Sequence, residues 1–143
     1  MDVVQSKKIL SRFSKVSLMT SSLNPTVLLA DDELFFRQVL GKMLIEGGLT
    51  VVAEAADGDE AVLKFREFTP TLVFMDIYMP NKSGIEATRD IMSINPAAKV
   101  LICSGTGYDE DIDAALKVGA RGVIFKPFYD EEVMETVRNI LAS

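Results

Sequence analysis

The sequence predicts an α/β fold in which a five-stranded parallel sheet is doubly wound, with five helices distributed over its two faces. Short apolar runs alternate five times with longer segments of helical periodicity. The apolar runs are nearly continuous, as in strands that are buried on both faces, and right-handed crossover helices cover both faces of such a sheet. A chain of 143 residues, 48% of them hydrophobic, has the size of one domain with a core of its own.

Five runs have the length and composition of strands. They are Thr26–Ala30, Thr50–Ala55, Leu72–Met75, Lys99–Ser104 and Gly122–Phe125. Glu54 interrupts the second run, and a charge inside a strand is typical of an exposed edge. We therefore expect the second strand to lie at one edge of the sheet.

The segments between and after the strands carry apolar stripes at helical spacing. The stripes are Phe36, Val39, Leu40, Met43 and Leu44; Ala61, Phe65 and Phe68; Ala87, Ile91 and Ile94; Ile112, Ala115 and Leu116; and Val133, Val137, Ile140 and Leu141. Turn-forming residues separate helices from strands at Gly47-Gly48, Asp57-Gly58, Pro70, Pro96 and Gly119. Together they predict five helices.

Composition excludes several classes of function. A net charge of −6 argues against binding nucleic acid, because phosphate backbones are held by an excess of Lys and Arg. The absence of histidine excludes Ser-His-Asp and Cys-His nucleophile pairs and most zinc sites. No apolar run reaches the ~20 residues of a membrane span. The single cysteine, Cys103, lies in an apolar run and fits a buried position in a protein of the reducing cytoplasm.

The first 25 residues differ in charge from the rest of the chain. They carry four basic residues and one acidic residue, a net charge of +3, whereas residues 26–143 carry 11 basic and 20 acidic residues, a net charge of −9. Residues 1–25 are interpreted as a basic, flexible N-terminal extension. A short helix that docks to a partner or a membrane surface, lined by Ile9, Phe13 and Val16, is the alternative. Residues 26–143 form the folded domain.

Polar and charged residues stand at the ends of several predicted strands, where open α/β sheets bind their ligands. Asp31 and Asp32 follow the first strand, Asp76 follows the third, Ser104 ends the fourth and Lys126 follows the fifth. If the first and third strands are neighbours, the three aspartates meet and repel one another unless a cation lies among them. A ligand set made only of oxygen atoms favours Mg²⁺.

These residue types suit phosphoryl transfer, which depends on positioning and charge neutralisation. Asp76 ends the most apolar strand and stands alone, so we interpret it as the acceptor of a phosphoryl group, with Asp31 and Asp32 holding the ion. The backbone carbonyl of Tyr78 would complete the ligand set. Lys126 would offer its charge to the cluster or to an oxyanion placed on it.

Plainer explanations and other functions stay open at this point. An Asp-Asp pair after a strand is often a helix N-cap, and Ser-Gly-Thr-Gly at residues 104–107 is either a plain loop or a phosphate-binding turn. A carrier of FMN would share the topology, but Asp31-Asp32-Glu33 would repel the FMN phosphate. An aspartyl phosphatase of the haloacid dehalogenase type needs a second acid two residues after its nucleophile, where this chain has Tyr78.

Four motifs together resemble the receiver domain of two-component response regulators, of the stand-alone chemotaxis (CheY-like) kind. They are Leu-Leu-Ala-Asp-Asp-Glu, Met-Asp-Ile-Tyr-Met-Pro followed by Gly84, Ile-Cys-Ser-Gly and Phe-Lys-Pro-Phe, and the resemblance covers Thr26 to about Leu141. It implies the flavodoxin-like strand order 2-1-3-4-5, which the sequence pattern alone does not give. It implies a signalling protein that is not an enzyme but a phosphoacceptor that assists its own phosphorylation and dephosphorylation.

The resemblance also assigns roles at the site. Asp32, Asp76 and the Tyr78 carbonyl would bind Mg²⁺ with the support of Asp31, and Asp76 would be phosphorylated. The Ser104 hydroxyl would turn toward the phosphoryl group, and Lys126 would contact one of its oxygen atoms. A sensor histidine kinase or a phosphotransfer protein would be the donor, and a target protein, with or without a phosphatase, would read the phosphorylated state.

The chain departs from this family's usual pattern at two positions. Val123 stands where many receivers have an aromatic residue, three residues before the lysine, so a rotating aromatic ring is not expected to relay the signal from there. Tyr108 is either a substitute for it or an ordinary surface tyrosine. Gly105 stands where alanine is common and leaves more room over the site.

Surface residues and the extent of the chain leave further questions open. Leu34 and Phe35 are either contacts for the donor or ordinary packing residues. The motifs fit equally a stand-alone shuttle, a phosphorelay intermediate and the receiver of a larger regulator. The output face is expected on the fourth helix, fifth strand and fifth helix.

Overall fold

Strands and helices alternate along the whole described part of the chain. The structure, a computed structural model, describes residues 25–105 and 109–143, so the interpretations of residues 1–24 and of Tyr108 concern residues outside that part. The strands are β1 (Thr26–Ala30), β2 (Thr50–Ala55), β3 (Leu72–Asp76), β4 (Lys99–Ser104) and β5 (Gly122–Phe125). The helices are α1 (Leu34–Glu46), α2 (Gly58–Phe68), α3 (Gly84–Ile94), α4 (Asp109–Lys117) and α5 (Asp130–Ala142).

The five strands form one parallel sheet in the order β2-β1-β3-β4-β5. The predicted fold class and the order implied by the family resemblance are therefore confirmed. β2 lies at an edge, as Glu54 indicated, and most of its residues are partly or fully exposed. β3 is buried throughout and includes Asp76, one residue more than the apolar run predicted.

Helices cover both faces of the sheet, and an apolar cluster fills each side. One cluster joins the sheet to α2, α3 and α4 through residues such as Phe65, Ile91 and Ala115. The other joins it to α1 and α5 through Leu44 and Val137. Alternate residues of each central strand enter opposite clusters, because successive strand side chains point to opposite faces. Within the described residues, no helix has both the length and the apolar composition needed to span a bilayer.

Three residues of the predicted helical stripes are not in the core. Phe68, Ile94 and Leu116 are 39%, 38% and 42% exposed. Each is the last or next-to-last residue of its helix, where fewer neighbours cover a side chain. The helices are where the apolar periodicity predicts them, and these three residues extend each stripe beyond its buried part.

The N-termini of the helices show which side chains act as N-caps and which do not. Asp57 and Ser83 are true N-caps, since their side chains accept hydrogen bonds from the N–H groups of Glu60 (2.8 Å) and Glu86 (3.2 Å). The N-cap position of α1 is Glu33, and no side chain caps it there. Neither Asp31 nor Asp32 caps α1, so the N-cap explanation for this pair is wrong.

Gly84 lets the start of α3 approach the end of β3 closely. Its N–H group donates to the Ile77 carbonyl at 2.8 Å, and its own carbonyl accepts from the Thr88 hydroxyl at 2.7 Å. A Cβ atom at this position would lie 1.9 Å from the carbonyl oxygen of Asp76. The glycine therefore fixes where the backbone of Asp76 lies.

We expect Gly84→Ala to lower the free energy of unfolding by about 2 kcal/mol or more, because the added methyl group displaces the Asp76 backbone. Urea unfolding monitored by circular dichroism measures this change. Gly41→Ala is the matched control: it too lies in a helix, and its Cβ would meet only the Leu29 side chain, at 3.4 Å. Equal effects of the two substitutions would contradict the close approach at Gly84.

Candidate functional site

Three carboxylates meet at the carboxyl edge of the sheet. β1 pairs with β3 in a register that places Ala30 beside Met75, so the next residues, Asp31 and Asp76, leave the sheet side by side. Asp32 follows in the turn after β1. One carboxylate oxygen from each of Asp31, Asp32 and Asp76 lies within 4.8 Å of the others. Asp31 and Asp76 are buried, whereas Asp32 is exposed.

Lys126 lies against this cluster from the end of β5. Its Nζ atom is 2.7 Å from Asp31 Oδ2 and 3.8 Å from Asp76 Oδ2, and all three side chains are less than 10% exposed. The same ammonium group lies over the ring of Phe36, 3.9 Å from its centroid. The Lys126–Pro127 peptide bond is cis. One buried cation thus faces two buried carboxylates and an aromatic ring.

Asp31 is held by contacts on both its side chain and its backbone. Its Oδ1 accepts a hydrogen bond from the Glu33 N–H group at 2.9 Å, and its carbonyl accepts one from Arg37 Nη1 at 2.6 Å. Arg37 also pairs with Glu54 of β2 at 3.0 Å. Asp31 is thereby fixed in the turn that presents Asp32.

Burial and charge perturb Asp76. The pKa of its carboxyl group is raised to about 6; loss of solvent is the largest cause, and the negative charges of Asp31 and Asp32 also raise it. The charge of Lys126 and a hydrogen bond of 3.0 Å from the Ile77 N–H group lower the pKa of Asp76, but it stays above its ordinary value. An added cation would relieve this repulsion.

A cavity of about 560 Å³ opens over the cluster. Its lining consists of Asp32, Glu33, Phe36, Asp76, Tyr78, Gly105, Lys126 and Pro127. The cavity gives a small anionic group or a hydrated ion direct access to Asp32 and Asp76. Tyr78, the predicted source of a carbonyl ligand, stands in its wall.

Ser104 lies near the carboxylate cluster, in the strand next to β3, but it does not line the cavity. It follows Cys103, which is the register partner of Asp76 in the neighbouring strand, and its side chain is 1% exposed. Ser104 is therefore buried beside the cluster and does not reach the cavity surface. Cys103 is fully buried, which raises the pKa of its thiol and supports its interpretation as a packing residue.

Two residues of the site were missed by the sequence analysis. Phe36 was assigned only to the apolar stripe of α1, and Arg37 was not assigned at all. Both follow the acidic pair within one and a half turns of helix, which is a signal that they lie near the site. Spacing does not tell which of them contacts the lysine and which the Asp31 carbonyl.

The donor set is suited to Mg²⁺. Oxygen atoms are the only donors that the three clustered residues offer, and a hard divalent cation takes carboxylate ligands while it keeps several water molecules. The exposed Asp32 and the open cavity leave space for those water molecules. The arrangement is an acidic pocket typical of Mg²⁺ binding.

We expect Asp76→Asn to stabilise the metal-free protein at about pH 7.5 by about 1–2 kcal/mol, allowing for solvent screening. The folded protein binds the Asp76 proton more tightly than the unfolded chain does. The stability that this carboxyl group contributes is therefore complete below about pH 4 and is lost as the pH rises toward about 6.

Urea unfolding in a chelating buffer at about pH 7.5 and about pH 4 measures this difference. Most of the gain should disappear at the lower pH, because Asp76 is then protonated in the folded protein and partly protonated in the unfolded chain. Asp113→Asn, which removes the same charge from an exposed position on α4, controls for net charge. A gain that is the same at both pH values would contradict the raised pKa of Asp76.

The sequence of this chain is similar to known receiver domains. Residues 27–138 match the family described as the response regulator receiver domain. Chemotaxis protein CheY of Thermotoga maritima is 40% identical over 114 residues, which cover 80% of this chain and 95% of the relative. CheY of Bacillus subtilis is 38% identical over 115 residues, with coverage of 80% and 96%.

Solved structures agree with the sequence comparison. CheY in the CheX-CheY-BeF3-Mg²⁺ complex of Borrelia burgdorferi superposes with a TM-score of 0.79 at 30% identity, covering 82% of this chain and 90% of that one. The response regulator domain of Thermotoga maritima CheB gives a TM-score of 0.76 at 33% identity, with coverage of 84% and 98%. Neither an FMN carrier nor a haloacid dehalogenase is favoured. The chain belongs to the response regulator receiver domains of two-component signalling and is of the chemotaxis, CheY-like kind.

Proposed function

We propose that Asp76 is the residue of this receiver that accepts the phosphoryl group. The observation that supports it is the cluster of Asp31, Asp32 and Asp76 around the buried ammonium group of Lys126. Asp76 is the member that is buried, lines the cavity and belongs to the central strand β3. A carboxylate in that position reaches a donor in the cavity while the sheet holds its backbone still.

The transfer conserves atoms and charge. A carboxylate oxygen of Asp76 attacks the phosphorus atom of the donor, the bond between phosphorus and the donor breaks, and the bonding electrons leave with the donor. Since the pKa of Asp76 is raised only to about 6, its carboxyl group is mostly ionised at neutral pH and is a competent nucleophile. Lys126, 3.8 Å from Asp76, balances charge on the transferred group.

Asp31, Asp32, Asp76 and the backbone carbonyl of Tyr78 are proposed to hold Mg²⁺. The ion would supply positive charge that offsets the repulsion among the carboxylates and the charge of the phosphoryl oxygens. Asp31 is already paired with Lys126 at 2.7 Å, so Asp32 and Asp76 have the more available oxygen atoms. Asp31 then acts mainly by holding Lys126 and the turn.

Phosphorylation adds close to two negative charges and three acceptor oxygens. We propose that Lys126 turns from Asp31 toward one of these oxygens and that the Ser104 hydroxyl and the Gly105 N–H group approach others. Movement of Ser104 pulls on the chain that leads into α4. The exposed side chains of Leu116, Phe125 and Tyr129 then make α4, β5 and the start of α5 the face that a target protein reads.

A histidine kinase or a phosphotransfer protein is proposed as the donor. Leu34 and Phe35, which are 54% and 65% exposed, begin α1 directly after the acidic turn and offer an apolar contact beside the cavity. The Borrelia burgdorferi relative is bound to CheX in its crystal structure. A protein of the CheX kind is proposed as a further partner of this chain. The phosphoacceptor itself is proposed to need no catalytic turnover of its own.

The domain boundary and the setting of the domain are proposals too. Residues 26–143 are proposed as the receiver domain, and residues 1–25 as a separate basic extension. Receivers occur alone and within longer proteins: a protein-glutamate methylesterase of Haloarcula marismortui is 41% identical over 99 residues, only 27% of its length. A phosphorelay intermediate and a part of a larger regulator therefore stay alternatives to a stand-alone chemotaxis protein.

Incubation with acetyl phosphate and Mg²⁺ should add one phosphoryl group by mass, and hydroxylamine should remove it, because an acyl phosphate is reactive. Asp76→Asn should abolish the modification, and the charge-matched Asp113→Asn should leave it intact. Intact-mass spectrometry measures both. Phosphoryl label that persists in Asp76→Asn would assign the acceptor elsewhere.

Asp32→Asn should weaken Mg²⁺ binding at least about tenfold, since even the loss of an outer contact of a metal ligand costs that much. Isothermal titration calorimetry measures the dissociation constant, with Asp113→Asn again as the control. Chelation of the metal should stop labelling by acetyl phosphate in the unchanged protein. Labelling that continues without metal, or unchanged affinity in Asp32→Asn, would rule out the proposed ion site.

A further inference from the structure

Tyr78 connects the wall of the acidic cavity to α4. It follows Asp76 by two residues, lines the cavity, and donates a hydrogen bond from its hydroxyl to Asp111 Oδ2 in the first turn of α4. The ring is 47% exposed, so it spans the surface between the two segments. One residue therefore contacts both the site and the helix beside it.

The backbone before Tyr78 is fixed to the site. The Ile77 N–H group donates to Asp76 Oδ1 at 3.0 Å, and the Ile77 carbonyl accepts from the Gly84 N–H group at 2.8 Å. The Ile77 side chain is 2% exposed. A displacement of the Asp76 carboxylate is therefore transmitted to Tyr78 through one buried, hydrogen-bonded residue.

Position 123 does not offer an equivalent connection. Val123 has no hydrogen-bonding group in its side chain, and it is partly buried against the apolar cluster that contains Ile102 and Ala115. Val123 on β5 therefore cannot connect the site to α4 through a hydrogen bond of its side chain. The Tyr78–Asp111 hydrogen bond is instead a polar contact between the loop after β3 and α4.

We propose that Tyr78 is a positioning residue that couples ion binding at the carboxylate cluster to the first turn of α4 through Asp111. The inference rests on the proposed function, in which the carbonyl of Tyr78 is a ligand of Mg²⁺. Ligation fixes the backbone of Tyr78 and so lowers the entropy that its ring loses on bonding to Asp111. Ion binding then strengthens the hydrogen bond and restrains α4.

Linkage makes the coupling reciprocal. If Mg²⁺ strengthens the bond between Tyr78 and Asp111, that bond must strengthen Mg²⁺ binding by the same factor. A partly exposed hydrogen bond has a net worth that corresponds to about a threefold change in an equilibrium constant. A partner protein that binds Asp111 in place of Tyr78 would thereby weaken Mg²⁺ binding.

Tyr78→Phe removes only the hydroxyl group and keeps the backbone carbonyl, and Asp111→Ala removes the acceptor. Each should weaken Mg²⁺ binding about threefold by calorimetry, and the double variant should lose no more than either alone, because both remove one bond. Tyr129→Phe and Asp113→Ala are matched controls for the loss of an exposed hydroxyl and of a charge on α4. Both should bind Mg²⁺ as the unchanged protein does.

Amide hydrogen exchange of the full chain distinguishes coupling from simple stabilisation. Saturating Mg²⁺ should slow exchange in residues 109–117 of the unchanged protein about threefold beyond any change in α5, which serves as the internal reference. In Tyr78→Phe at saturating Mg²⁺, this extra slowing should disappear although the ion is bound.

The outcomes separate this inference from the proposed function. Failure of the unchanged protein to bind Mg²⁺ overturns the proposed function of the cluster. Mg²⁺ binding with an equal exchange response in α4 of the unchanged protein and Tyr78→Phe overturns the coupling alone. Additive losses of affinity in the double variant also overturn it, since they assign the two residues to independent effects.

Discussion

The mutual repulsion of three carboxylates, confined at the end of a buried parallel sheet, is the constraint on which the site depends. Asp31 and Asp76 are buried with a single ammonium group, that of Lys126, between them, and Asp32 adds a third negative charge at the surface. Loss of solvent is the main reason why the pKa of Asp76 is raised, and the charges of Asp31 and Asp32 add to it. The folded protein thus holds a cluster that is less stable than a neutral one and that gains from any cation or charge rearrangement.

Such a cluster persists only because the surrounding structure determines the position of each member. The close approach of Gly84 fixes the backbone of Asp76, and Arg37 holds the carbonyl of Asp31 while it pairs with the edge strand β2. Phe36 lies beneath the Lys126 ammonium group and packs edge to face against Phe128 at 5.9 Å. These contacts come from α1, α3, β2 and the loop after β5, so several separate parts of the fold hold the charged side chains in position.

The route from the site to the rest of the molecule follows from the same geometry. Asp76 stands in the central strand β3, between β1 and β4, so a change at its carboxylate reaches the loops after all three strands. Ser104 leads toward α4 from one side, and Tyr78 contacts α4 from the other through Asp111. With Val123 packed in the apolar cluster, the polar contacts of these loops are better suited than β5 to connect the site with α4.

The sequence by itself determined the order, type and approximate limits of the elements, because apolar periodicity records which residues each strand and helix must bury. Strand ends also identified Asp31, Asp32, Asp76 and Lys126 as candidates, since ligands of such sheets bind there. Tertiary structure decided that β1 lies beside β3, that Lys126 pairs more closely with Asp31 than with Asp76, and that Phe36, Arg37 and Asp111 contact the site or its loops. These facts depend on distances between residues far apart in the chain, and no local pattern of residues encodes such distances.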